Sequence, residues 1–547
     1  MKHLPTLFAC LPLLAVANQQ PAPTPVQNEF NRFQQQTKAQ NEQRQQTQQQ
    51  RWVAQHQYQQ AEVAQTAQDL SQVCLPYSEI RFVGFHLIDP APLAPKAGEC
   101  LNEVRLNRLS QDITAAYLAL GYVYNPFQFE DDQSGRLTMR VTEGRISRFS
   151  GESKRLNFTT LLPNQLGKPL NIRDLDQALD QANKMPGSKV TVDVLPAKNG
   201  EIELAFVNEE KSRITGFIGL DNYASKRTGR WQAKGGVNID SPLGLSDTLY
   251  LNAAHTLKSY RHNFNRSISL FHTIPYGYWT FSTFGSFSAF KSTIPLQHNT
   301  VQQKGYTWQA ALRTDYTFRR DANSISSIYG QLERIKSKSY FQDSIIGFQS
   351  PALTTVQVGL NHLQLFPNGS LITDLNYERG LKWWNATPNQ GRDQPEGQFN
   401  RWRAELQFNR FYQLKSQIFR QSHRLIGQYS QNYLPAIKQA DLLGRYAVRG
   451  FNDISQSAER SIVLQNQFGW LYQQHQWQIE PYVALDVGLQ KTTATGANSQ
   501  QALGYALGIK TVHPRWQLQL EWATGRLYQR QGVEQERSIN ANASFTF

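Results

Sequence analysis

The sequence predicts a membrane-spanning antiparallel β-barrel of about sixteen strands, preceded by two small α/β domains and an N-terminal helix. Two observations carry this reading. Aromatic residues make up 12% of the 547 residues although mean hydropathy is only −0.55, and no apolar run of roughly 18 residues follows the N-terminus. That argues against helical spans, whereas a barrel strand needs only about 9 to 11 residues, half of them facing water. The second observation is strict alternation in the C-terminal three-fifths. Trp477, Ile479, Pro481, Val483, Leu485, Val487 and Leu489 fall on one face. Gln478, Glu480, Tyr482, Ala484, Asp486, Gly488 and Gln490 fall on the other. Side chains point alternately to opposite sides of a strand, so this one is greasy outside and wet inside.

Residues 1–17 read as a secretory signal, with Lys2 and His3 as a polar head, a largely apolar Leu4 to Leu14, and the small-x-small pattern Ala15-Val16-Ala17. The mature chain then starts at Asn18 and Cys10 is lost. Residues 18–46 are rich in glutamine and poor in apolar anchors, so they cannot bury a core of their own. Val26, Phe30 and Phe33 nevertheless fall at helical spacing among good helix formers. A helix of about 20 residues would be roughly 30 Å long, the thickness of a bilayer core. Disorder fits the same composition equally well. Residues 47–72 read as a tether.

Residues 73–144 form a first unit: an extended start from Glu79 to Phe85, a helix from about Leu106 to Leu120 stopped by Gly121, and a closing strand Arg136 to Val141. Ile113, Tyr117 and Leu120 share one helical face. Residues 145–211 repeat the pattern, with Arg145 to Phe149 extended and a helix from Ile172 to Met185 ended by Pro186-Gly187. Two strands, Lys189 to Leu195 and Glu201 to Val207, flank an Asn199-Gly200 turn. Export leaves Cys74 and Cys100 in an oxidising compartment, where they either pair or remain free thiols. Pairing is worth roughly 3 kcal/mol in the chain-entropy account.

Residues 212–547 carry the barrel. Trp402, Ala404, Leu406 and Phe408 oppose Arg401, Arg403, Glu405, Gln407 and Asn409, and Ile539, Ala541, Ala543, Phe545 and Phe547 oppose Ser538, Asn540, Asn542, Ser544 and Thr546. Within this pattern Val448-Arg449-Gly450-Phe451 sits in a loop, and a lumen gives its arginine somewhere to point. Asp486 faces that lumen and is the expected partner of Arg449; Glu480, on the same face, competes. The next strand, searched from Gly504 to Val512, offers no second carboxylate.

The net charge of +14 lacks the basic runs with interleaved aromatics that nucleic-acid binding requires. Dispersed cations on a periplasmic module, in the lumen and on loops facing lipopolysaccharide account for it. The eleven histidines are scattered, and no H-E-x-x-H, G-x-S-x-G or phosphate-binding loop is present. A polar lumen face explains Glu405, Glu480 and Glu521 without catalysis. No catalytic residue, cofactor or metal site is expected, and the chain reads as a non-enzyme.

The order of parts, together with four local phrases, resembles the outer-membrane transporters of two-partner secretion, relatives of the barrel-assembly proteins. The phrases are Gly167-Lys168-Pro169-Leu170-Asn171, Val448-Arg449-Gly450-Phe451, Leu485-Asp486-Val487-Gly488, with Ala484 where an aromatic usually leads, and the terminal Phe547. The resemblance implies two polypeptide-transport-associated (POTRA) domains in the periplasm that capture an unfolded exoprotein. It implies that Arg449 tips a loop folded into the barrel and held by Asp486, that residues 18–46 plug the pore at rest, and that Phe547 is read by the barrel-assembly machinery. The partner would be an adhesin, a haemolysin or a toxin of contact-dependent inhibition. A barrel-assembly insertase built from the same parts is the alternative function.

Overall fold

A strand with one apolar and one polar face, repeated many times, satisfies both faces and removes its edges by closing on itself in a membrane. The computed structural model describes residues 31–35, 38 and 72–547, apart from 97, 132–134, 258–261, 296–298, 392–393, 494–498 and 531. The predicted signal, the linker as far as residue 71, and Val26 and Phe30 of the predicted helix lie outside the described residues.

Sixteen strands, from Ile214–Asp221 to Gly532–Thr546, each pair antiparallel with the next, and the last returns to the first. The two-residue strand Ser344–Ile345 only extends one outer hairpin. At the seam Asn542 pairs with Asp221 and Thr546 with Phe217. Phe547 then exchanges both backbone hydrogen bonds with Gly216, each at 2.9 Å. A Cβ on Gly216 would lie 2.7 Å from the Phe547 ring, so glycine leaves the terminal aromatic room to cover the seam.

The predicted alternation holds on strand Trp477–Lys491: Val483, Leu485, Val487 and Leu489 are exposed toward lipid, while Glu480, Tyr482, Ala484, Asp486 and Gln490 are buried. Paired aromatics mark both rims, as lipid interfaces favour. Trp279 packs at a tilt against Tyr316 and Trp516 against Phe545 at one end, and Tyr377 against Trp402 at the other.

In the first module, Glu79–Val83 runs parallel to Arg136–Val141, which pairs antiparallel with Phe127–Asp131. Helix Glu103–Leu120 covers this sheet; Asn102 caps it by accepting the Arg105 N–H at 2.8 Å, and Gly121 ends it at φ +91°. Its buried stripe is Leu109, Ile113 and Tyr117. Leu120, predicted on that face, is 47% exposed, because the helix has run past the edge of the three-stranded sheet. The Tyr117 hydroxyl donates to Glu143 at 2.8 Å, and burial together with that carboxylate holds the phenol above its usual range. Cys74 and Cys100 are disulfide-bonded with Cα atoms 5.3 Å apart, tying the entry of the first strand to the start of the helix.

The second module repeats the plan with Arg145–Ser150 parallel to Glu201–Asn208, and Val190–Pro196 antiparallel to it. Its helix spans Ile172–Ala182 and stops three residues short of the predicted Met185, where the chain turns ahead of Pro186. Met185 is still fully buried, in a core with Leu175, Ala178, Ile202 and Leu204. A short helix, Phe158–Leu161, lies in a stretch with no clear helical period and was not expected.

This module docks on one end of the barrel. Gln177 and Gln181 donate to the Gly277 carbonyl at 3.2 and 3.1 Å, Tyr278 donates to Asp174 at 2.7 Å, and Arg320 pairs with Asp180. The Gly187 N–H reaches the buried Asp240 at 2.8 Å. These bonds fall on the short turns between strands, so the second module and the barrel mouth share one rigid surface. Replacing Cys74 and Cys100 with serine is expected to cost the first module about 3 to 4 kcal/mol. Protease digestion of the whole chain should then cut within residues 74–144 at lower denaturant concentration, with cleavage of the barrel unchanged.

Candidate functional site

Between strands Gln417–Tyr429 and Arg460–Gln474 lies the longest connection of the barrel, and it turns inward. A small ladder, Ala440–Asp441 with Ser457–Ala458, folds it into a hairpin. Its tip carries Val448, Arg449, Gly450 and Phe451, all buried against the inner wall.

One cross-strand row receives this tip. The registers align Gln465 with Asp486, Asp486 with Gly504, Gly504 with Gly525, and Gly525 with Glu536, so five neighbouring strands each present one inward residue. The loop crosses them in chain order. Gln465 donates to the carbonyls of Arg445 and Ala447 at 3.2 and 2.6 Å. Asp486 accepts from Arg449 Nε at 2.7 Å, Nη2 at 2.8 Å and the backbone N–H at 3.1 Å. Gly504 and Gly525 provide a flat floor: a Cβ on Gly504 would meet the Arg449 carbonyl, and one on Gly525 would enter the Phe451 ring. Glu536 closes the row by accepting the N–H groups of Asn452, Asp453 and Ile454 at 2.8, 2.8 and 3.0 Å.

Gly450 sits at φ +99°, and a side chain there would strike Thr524 and Gly525. Glycine is needed both for the backbone conformation and for the close approach. Around the tip the wall is dry, with Val463, Ala502 and Leu527 packing on Leu442, Val448 and Phe451. Asp486 is fully buried and Arg449 nearly so, which removes the water that would otherwise weaken the pair.

Arg449 has a second acid. Its Nη1 lies 3.7 Å from Glu521, which also accepts from Tyr482 at 2.9 Å and Asn540 at 3.2 Å. Glu521 stands one strand beyond the stretch searched from Gly504 to Val512, on the face that alternation had already made inward. Glu480, the expected competitor, does not touch Arg449. It is occupied by Arg420 at 2.6 and 2.8 Å, because six residues along the strand separate it from Asp486 and move it down the wall. The residues missed entirely were Gln465, Gly504, Gly525 and Glu536, whose shared row exists only once strand registers are known.

Residues 31–35 are helical and lie inside the barrel. Phe33 stacks on the inward Phe290 with ring centres 4.3 Å apart. Arg32 donates to Ser225 at 2.7 Å and to the Asn452 carbonyl, and lies 3.6 Å from Asp453. Gln35 donates to the Leu443 carbonyl, and Lys38 reaches Asp441 at 3.0 Å. The segment therefore rests on the back of the same loop. Toward the second module a cavity of about 1460 Å³ remains, lined among others by Arg313, Asp374, Arg403, Arg420 and Gln519.

A barrel with a loop locked inside it and two docked α/β modules defines a class of outer-membrane transport protein. Residues 200–511 match the haemolysin secretion/activation protein ShlB/FhaC/HecB family, residues 75–144 an ShlB-type POTRA domain and residues 145–196 a POTRA domain. The chain belongs to that family of two-partner secretion transporters of the outer membrane, with its POTRA domains in the periplasm. It is 34% identical to the hemolysin transporter protein HpmB of Proteus mirabilis over 84% of this chain and 83% of that one. It is 32% identical to the hemolysin transporter protein ShlB of Serratia marcescens over 89% and 88%. The structure of CdiB from Escherichia coli shares the fold at a TM-score of 0.84 and 24% identity, covering 96% of this chain and all of that one.

Gly525→Leu is expected to push Phe451 off the wall at a cost of about 1 to 3 kcal/mol while leaving backbone pairing intact. Trypsin should then cut the assembled barrel after Arg445 or Arg449; resistance equal to that of the parent would show that the glycine floor does not hold the loop.

Proposed function

We propose that this transporter exports a large secreted partner from periplasm to cell surface, and that its resting pore is closed by the loop bearing Val448-Arg449-Gly450-Phe451 and by a helix within residues 18–46. The observation that carries the reading is the contact between the two obstructions: Arg32, Gln35 and Lys38 all bond the loop that Asp486 holds. Relatives named as haemolysin transporters and CdiB transporters favour a haemolysin or a contact-dependent inhibition toxin as cargo, with an adhesin as a third class. The POTRA sheets have open edges that suit capture of an extended segment by strand addition. Folding of the exported chain outside would bias its movement outward, so no nucleotide is required. Lipid and lipopolysaccharide surround the barrel, and Phe547 is presented at the seam where the assembly machinery would read it.

Expression with a candidate secreted partner tests export: the partner should reach the medium or cell surface only when this chain is present. General failure of other outer-membrane barrels on its deletion would instead favour an insertase. Arg449→Ala strands the buried Asp486, costing about 3 to 5 kcal/mol locally, and is expected to abolish or sharply reduce secretion while the barrel still assembles. Deletion of residues 18–46 is expected to raise single-channel conductance in planar bilayers, and unchanged conductance would refute the plug.

A further inference from the structure

The loop is held at a second point, far from Arg449. Ala436–Lys438 forms a single turn of 3-10 helix on the limb that enters the lumen. The side chain of Lys438 is buried, with Nζ 2.5 Å from Glu378 and also bonded to Glu333. Its carbonyl accepts from Arg401 at 2.9 Å and from Gln428 at 3.0 Å. Arg401 also pairs with Glu378, so two cations face two carboxylates. Ile437 adds an apolar contact with Ile335 and Leu353.

The placement of these groups around the cylinder is what matters. Glu333 lies on the seventh of sixteen strands, Ser324–Phe341, Glu378 on the ninth, Gly369–Leu381, and Asp486 on the thirteenth, Trp477–Lys491. The two carboxylates that hold Lys438 stand six and four strands from Asp486 around the wall. Residues 438–449 thus run between two separate stations on the inner wall, pinned at Lys438 and at Arg449.

We propose that Lys438 is a positioning residue that tethers the gating loop to a second wall station, four to six strands from the Asp486 lock, so that opening requires both anchors to release. This rests on the proposed gating role of the loop. With Arg449 freed alone, the limb through Lys438 still spans part of the lumen. When Lys438 leaves, Glu378 keeps Arg401 but Glu333 loses its cation, which makes release costly without passing cargo. Lys38 lies beside this anchor, donating to the Gln439 carbonyl at 2.8 Å, so departure of the N-terminal segment removes a neighbour of the tether at the same time.

Full-length protein in planar bilayers tests this through open-state occupancy. The double variant Lys438→Met with Glu333→Gln removes the tether while leaving the wall electrically balanced through Glu378 and Arg401, so the barrel assembles as a heat-modifiable band. It is expected to raise occupancy about fivefold or more, the usual scale of a coupling between sites. Glu378→Gln, which alters the wall and not the loop, should shift occupancy in the same direction, and Lys438→Arg should restore closure. If the double variant and Glu378→Gln both stay as closed as the parent while Arg449→Ala opens, the tether is wrong and the gate stands. If none of them opens, the gating role falls and the tether with it.

Discussion

The inner-wall row Gln465, Asp486, Gly504, Gly525 and Glu536 is the constraint on which the resting architecture depends. A sixteen-stranded cylinder is wide enough to fill with water, and nothing in a closed sheet by itself keeps a loop inside it. The loop enters because its backbone finds there what a backbone requires. Carbonyls of Arg445 and Ala447 meet an amide, and three successive N–H groups after Phe451 meet one carboxylate. Two glycines between them let the chain approach at backbone distance. Arg449 and Asp486 then lie in the middle of an accommodation that is already tight.

Under the proposed gating role, that arrangement suits a part that holds and later lets go. A buried ion pair adds little over a well-packed apolar substitute, but breaking one partner away is expensive. The pair therefore contributes specificity of position and a barrier to release more than it contributes stability. The dry patch of Val463, Ala502 and Leu527 deepens the barrier by excluding water, and Glu521 gives the arginine a second acid within reach. Docking of the second POTRA domain on the Gly277 turn and on Arg320 fixes the entrance on the periplasmic side. An incoming chain meets a rigid mouth and an obstructed bore.

Much of this was legible in the residues because the relevant physics is local. Alternation on Trp477–Lys491 put Asp486 inside before any register was known, and a helical period stopped by Gly121 in one module and by Pro186-Gly187 in the other marked both modules. The helix ends were less legible: Leu120 was assigned to the buried face because helical period says nothing about where the sheet beneath stops. Glu480 and Asp486 share a face, and only height along the wall separates them, which parity does not encode. Glu521 was overlooked as a lock residue for a related reason, since the reach of an arginine across two strands is a matter of curvature. Gly504, Gly525 and Glu536 acquire meaning only from long-range pairing.

Hydrogen–deuterium exchange of residues 445–454 in the detergent-solubilised full-length protein is the most direct measure of whether the row grips the loop. Amides of Arg449, Asn452, Asp453 and Ile454 should exchange as slowly as those of strand Trp477–Lys491, although they lie in a loop. Exchange as fast as that of the outer connection at residues 382–399 would contradict the account.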